Sequence, residues 1–115
     1  MKPYSAIAFI FTFPFANPSL AASPSTPKAD PEIGRALAER VCVACHVVSK
    51  QPSSVATDVP SFPAIANKPG QSMETIAGRI VIPHPPMIAV PLTRAEIADL
   101  AAYIMTLKET GGSEP

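Results

Sequence analysis

Proline restricts this chain more than any other residue type, since fifteen of its 115 residues are proline. Proline fixes the backbone φ angle and lacks an N–H donor, so it is disfavoured inside helices and central strands. Pro31 suits the first position of a helix, and Pro69-Gly70 is typical of a turn. Four prolines between residues 83 and 92 predict an extended loop, because each also restricts the residue before it. Short helices joined by long loops are therefore expected.

Capping residues and hydrophobic spacing predict three main helices. The expected helical ranges are 30 to about 45, 72–82, and 93 to the glycines at 111–112, with a short helical turn at 61–67. Asp30 can cap the first helix, and Thr93 with Glu96 forms a capping box for the last. Apolar residues recur at helical spacing in these two helices, at Ile33, Leu37 and Val41 and at Ile97, Leu100, Ala101, Ile104 and Leu107. No segment alternates like a strand, so the predicted fold class is all-α.

The first 21 residues have the layout of a secretory signal peptide. Lys2 carries the positive charge, Ala6 to Phe15 is apolar, and Ser19-Leu20-Ala21 offers small residues for cleavage near Ala21. An uncleaved membrane anchor is the alternative, but the apolar run is too short to span a bilayer and Pro14 interrupts it. The mature chain is therefore expected in the periplasm, without a transmembrane span.

The rest of the chain divides into three parts. Residues 22–29 are small, proline or polar apart from one lysine and predict a flexible linker. One folded domain is expected over 30–109, followed by a flexible tail at 110–115. Nine basic and nine acidic residues cancel, so charge provides no basis for nucleic-acid binding.

The mature domain has little aromatic material for a core. The predicted signal peptide, which we call the leader, contains five of the seven aromatic residues. Phe62 and Tyr103 are the two that remain in the mature domain. Something other than side chains is therefore expected to fill part of the core. Without that group we expect the polypeptide to be largely unfolded.

The sequence Cys42-Val43-Ala44-Cys45-His46 is C-x-x-C-H, the attachment sequence for c-type haem. Two thiols at this spacing can add to the two haem vinyl groups and form thioethers. His46 then lies under the macrocycle, where it can donate a ring nitrogen to iron. One covalently bound haem would also supply the missing core.

Three other interpretations of the two cysteines compete with haem attachment. A dithiol redox motif belongs near a βαβ pattern, which is not predicted here. A structural zinc site needs four ligands, and there is no second cysteine pair. A disulfide suits an oxidising compartment, but it gives no reason for a histidine directly after Cys45.

The second axial ligand of the iron is predicted to be Met87, in the stiff segment Pro85-Pro86-Met87. A thioether is a soft ligand that raises the reduction potential. Met73 lies in the first turn of a predicted helix and is interpreted as a packing residue, while Met105 on the last helix is interpreted as a core or surface residue. His84, in the same loop, is the rival ligand and would give a bis-histidine site.

The motif and the methionine loop together resemble the class I cytochromes c, specifically small bacterial monohaem proteins. The resemblance covers about residues 30–109, including His84-Pro85-Pro86-Met87 and the last helix. It implies that the first and last helices cross at Gly34 and Tyr103, although Ala38 stands where many members have an aromatic residue. It also implies that the Pro60 carbonyl accepts the other His46 ring N–H, with an ordinary loop proline as the alternative.

The leading functional prediction is a one-electron carrier that acts as a monomer with transient redox partners and is not an enzyme. Val43, Ala44 and the loop near Ile88 are candidate rim contacts for those partners, or packing residues. If Met87 were labile, the protein would instead be a haem-based gas-binding sensor. A third interpretation is an electron-transfer subunit of a larger periplasmic oxidoreductase.

Overall fold

A computed structural model describes residues 1, 3, 8–14, 27–51 and 58–111. The predicted cleavage site near Ala21 and residues 112–115 lie outside these ranges, as does linker segment 22–26. The described chain contains four helices: α1 (Pro31–Val41), α2 (Phe62–Ala66), α3 (Met73–Val81) and α4 (Arg94–Thr106). No strand occurs in these ranges, which agrees with the predicted all-α class. None of the helices found there is long and apolar enough to cross a membrane.

The helices begin where the sequence provides caps. The Asp30 side chain accepts hydrogen bonds from the backbone N–H groups of Glu32 and Ile33, and proline follows it. The predicted capping box is present in full, since the Thr93 hydroxyl accepts from Glu96 N–H and the Glu96 carboxylate accepts from Thr93 N–H. These bonds satisfy backbone donors that have no partner within the helix.

Helices α1 and α4 cross with their backbones in contact at Gly34. A Cβ atom at Gly34 would overlap the carbonyl oxygen of Asp99 and would lie 2.9 Å from the nitrogen of Leu100. The Asp99 carboxylate also accepts a hydrogen bond of 2.7 Å from the Asp30 backbone N–H. The close crossing expected at Gly34 is therefore confirmed, and its contact on α4 is the backbone at Asp99 and Leu100.

The α1 stripe predicted from Ile33, Leu37 and Val41 is partly wrong. Ile33 is 53% exposed, while Leu37 and Ala38 are buried. The buried face is displaced towards Gly34 and Ala38 because those small residues let α1 approach α4. Ala38, which stands where many class I cytochromes c have an aromatic residue, has no exposed surface.

The core lies between α4 and the other three helices. Its fully or nearly buried apolar residues come from every helix and the loop after His46, and they are Leu37, Ala38, Val48, Phe62, Ala66, Ile76, Leu100, Ala101, Tyr103, Ile104 and Leu107. The Tyr103 hydroxyl donates a hydrogen bond of 2.6 Å to the Val48 carbonyl oxygen. This bond ties α4 to the segment that follows His46.

We predict that Tyr103→Phe lowers the free energy of unfolding by about 1–2 kcal/mol at neutral pH, since the buried Val48 carbonyl loses its donor. Burial raises the pKa of the Tyr103 hydroxyl. Its contribution is therefore complete below the unfolded-state pKa of about 10 and is lost as pH rises through the folded-state pKa. Denaturant titrations at pH 7 and pH 11 measure both effects. Equal stability of the variant and the parent at pH 7 would contradict the prediction.

Candidate functional site

The C-x-x-C-H segment forms one tight turn at the end of α1. The α-helix ends at Val41 and tightens into a 3₁₀ turn over Cys42–Ala44. The backbone N–H groups of Cys45 and His46 both donate to the Cys42 carbonyl oxygen, at 3.1 and 2.8 Å. Cys42 is half-buried and Cys45 is exposed. The turn thus brings two thiols and an imidazole together within five residues.

The environment of Cys42 does not favour a thiolate. Burial raises the pKa of the Cys42 thiol. Dithiol redox motifs work with cysteines whose pKa is lowered by nearby positive charge or a helix N-terminus, whereas this turn follows a helix C-terminus. The surroundings of Cys42 therefore do not favour the interpretation as a redox-active dithiol.

The His46 imidazole is oriented by the loop that precedes α2. Its Nδ1 lies 2.8 Å from the Pro60 carbonyl oxygen, which is the contact that the family resemblance implied. Because a carbonyl can only accept, Nδ1 carries the proton and Nε2 keeps the lone pair with which it could bind a metal. A hydrogen bond of this kind determines both the tautomer and the direction of a ligating histidine.

Phe62 is a neighbour of His46 that the sequence analysis did not identify. The centroids of the two rings are 5.4 Å apart, and Phe62 in turn meets the edge of Tyr103 at 6.4 Å. No spacing in the sequence links these residues. The one available signal was that Phe62 and Tyr103 are the two aromatic residues outside the leader.

Met87 lies on a separate segment, the proline-rich loop between α3 and α4. Its backbone N–H donates a hydrogen bond of 2.7 Å to the His84 carbonyl oxygen. The Met87 side chain is half-buried and His84 is exposed. Met73 packs against the core, as predicted, and so does Met105, which agrees with the core alternative given for it. Among the methionines of the mature domain in the part of the chain that the structure describes, Met87 is therefore the one that lies on a loop.

Several apolar side chains in the C-x-x-C-H turn, at the end of α3 and in the loop that follows it are left uncovered by the protein. Val43 is 55% exposed, Val81 61%, Ile82 74% and Ile88 76%. A cleft of about 190 Å³ also opens along residues 43–49. A flat apolar macrocycle would cover such surface, whose exposure is otherwise unfavourable. The chemistry of the residues fits haem as well, because two thiols can form thioethers with its vinyl groups, while an imidazole and a thioether are suitable ligands for its iron.

A comparison with protein families decides between these interpretations. The family model for cytochrome c matches residues 31–108, which include all four helices and the whole candidate site. The chain belongs to the cytochrome c family. Cytochromes c are all-α proteins that carry covalently attached haem c and transfer electrons with redox partners. The predicted fold class and cofactor are confirmed, as is the resemblance to class I cytochromes c.

Two relatives of this cytochrome c differ in how much of their length matches. Cytochrome c-552 of Bradyrhizobium diazoefficiens is 43% identical over 86 residues, which are 75% of this chain and 83% of the relative. Cytochrome c4 of Thiocapsa roseopersicina is 38% identical over 92 residues, which cover 73% of this chain but only 43% of the relative. No solved structure gives a significant match to the chain.

Proposed function

We propose that this cytochrome c is a periplasmic one-electron carrier with a single haem, attached through Cys42 and Cys45 and ligated by His46 and Met87. The bound iron supplies the chemistry by cycling between its ferrous and ferric states. The observation that carries the proposal is the C-x-x-C-H turn, in which the Pro60 carbonyl holds Nδ1 of His46 and leaves Nε2 as the metal-binding nitrogen.

His46 and Met87 would both hold the haem iron. Pro60 orients the imidazole and increases its basicity as a ligand. Pro85 and Pro86 limit the motion of the Met87 loop, because each fixes its own φ angle and restricts its predecessor. A soft thioether favours the ferrous state and so raises the reduction potential. With His46 and Met87 both bound to it, the haem iron would supply electron transfer rather than ligand binding.

The location and partners of the protein are part of the same proposal. The signal peptide directs export, and cleavage near Ala21 releases the mature chain. The protein then acts as a monomer that meets donor and acceptor proteins through small, weak interfaces. It is a carrier rather than an enzyme, since the sequence contains no second cofactor motif and no convincing catalytic constellation.

The visible spectrum of the reduced, periplasmically matured protein, recorded with and without carbon monoxide, tests this function. We expect a haem spectrum that the gas does not change, because Met87 occupies the sixth position. A shift at low gas concentration would instead support a gas-binding sensor with a labile Met87. A protein without covalently held haem would contradict both functions, and co-purification with a catalytic chain would support the oxidoreductase subunit.

We predict that Met87→Ala binds carbon monoxide readily and has a lower reduction potential. The expected fall is on the order of 0.1 V, within the roughly 0.8 V range that axial ligands cover. Met105→Ala is the matched control, since Met105 packs against the core from α4. The control should remain insensitive to the gas. If Met87→Ala also stays insensitive, another residue such as His84 is the ligand.

A further inference from the structure

Phe62 packs beside the imidazole of His46 from inside the core. Its side chain is 3% exposed. The two ring centroids lie 5.4 Å apart, with a tilt of 47° between the ring planes. A buried ring at this distance has little freedom to move aside, since protein cores are close-packed. Rotation of the imidazole plane is therefore resisted on this side.

One hydrogen bond ties Phe62 to the segment after His46, and a second ties the neighbouring Tyr103 to the same segment. The Phe62 backbone N–H donates to the Val47 carbonyl oxygen at 2.9 Å. The next carbonyl, that of Val48, accepts the Tyr103 hydroxyl at 2.6 Å. The rings of Tyr103 and Phe62 also meet in a T-shaped arrangement, with 61° between their planes. Helices α2 and α4 thus hold both Phe62 and the chain next to the histidine.

Two contacts of different kinds restrain the imidazole. The hydrogen bond from Nδ1 to the Pro60 carbonyl determines the tautomer and holds one edge of the ring. The Phe62 ring packs beside the imidazole with a tilt of 47° between the planes, so it blocks movement of the imidazole plane towards Phe62.

We propose that Phe62 is a positioning residue that determines the rotational angle of the His46 imidazole plane over the haem, with Tyr103 holding Phe62 in place. The inference rests on the proposed role of His46 as an iron ligand. The angle of an imidazole plane sets how its π orbitals overlap the iron d orbitals. Phe62 therefore acts on the electronic state of the iron through His46, without touching the metal.

Electron paramagnetic resonance of the ferric holoprotein is sensitive to the angle of the His46 imidazole plane. The largest g value of low-spin ferric haem depends on the orientation of the axial ligands. We expect Phe62→Leu to shift or split that signal, because leucine fills similar space without a flat ring. Phe62→Tyr keeps the ring and should retain the parental signal. Ile76→Val is the packing control, since Ile76 is equally buried at 3% exposure but lies on α3.

An unchanged signal in Phe62→Leu, with a loss of thermal stability like that of Ile76→Val, would make Phe62 a packing residue and overturn the inference. A measurement on the parent protein covers the case in which Phe62→Leu does not fold. In the ferrous state, proton NMR should show contacts between the ring protons of Phe62 and His46, and their absence would overturn the inference. A parent protein without a low-spin ferric signal would instead overturn the proposed axial ligation, and this inference with it.

Discussion

Replacing both Cys42 and Cys45 with alanine is expected to abolish covalent haem attachment and the cooperative fold together. The two thiols are the proposed attachment points, and haem bound without them would be lost on denaturation. The polypeptide has few large side chains to bury, and it leaves Val43, Val81 and Ile82 more than half exposed. A small domain with so few buried large side chains depends on its bound haem for stability.

The measurement combines haem absorbance after denaturation in acid with circular dichroism during heating. We expect the double variant to show neither haem colour on the polypeptide nor a cooperative thermal transition. Val43→Ala changes the same turn but keeps both thiols, and it should retain its haem. Haem that stays on the double variant through denaturation would contradict the attachment sites. A haem-free variant that melts cooperatively would contradict the argument about the core.

Gly34→Ala is expected to lower the free energy of unfolding by about 3 kcal/mol, at the upper end of the usual cost of overpacking. The added methyl group would overlap the Asp99 carbonyl oxygen, which belongs to the backbone of α4 and cannot rotate away as a side chain could. The helices must therefore separate, and the packing around Leu37 and Leu100 is weakened. Denaturant titration of the holoprotein measures the effect.

Gly78→Ala is a matched control for that substitution. Gly78 is also within a helix, but a Cβ atom there would meet nothing within 4 Å. Alanine has the higher helix propensity, so this variant should gain about 0.5–1 kcal/mol. If both variants gain stability, the helix crossing does not depend on the absence of a side chain at Gly34.

The ends of the helices could be predicted from local sequence. Asp30 before Pro31 and the pair of Thr93 with Glu96 act within one turn of the chain, so their spacing in the sequence is also their spacing in space. The same holds for the C-x-x-C-H turn, whose two hydrogen bonds to the Cys42 carbonyl are local. Short-range geometry of this kind needs no knowledge of the rest of the fold.

The buried face of α1 could not be predicted with the same accuracy. Spacing alone placed Ile33 in the apolar stripe, but the side chain is 53% exposed. A helix buries the face that its partner covers, and α4 approaches at Gly34 because glycine permits backbone contact. Hydrophobic periodicity records which residues are apolar, whereas the crossing point depends on which residues are small.

The sequence by itself determined the all-α class, the helix starts, and the cysteine and histidine turn that indicates haem, because each depends on residues close together in the chain. The tertiary structure decided the surroundings of that turn. The Pro60 carbonyl oxygen, from a loop, lies 2.8 Å from His46 Nδ1, and the Phe62 ring, from α2, lies 5.4 Å from the His46 ring between centroids. The Tyr103 hydroxyl, from α4, lies 2.6 Å from the Val48 carbonyl oxygen in the segment after His46. Such contacts join residues 14 to 55 positions apart, and chain packing rather than local preference brings residues at that separation together.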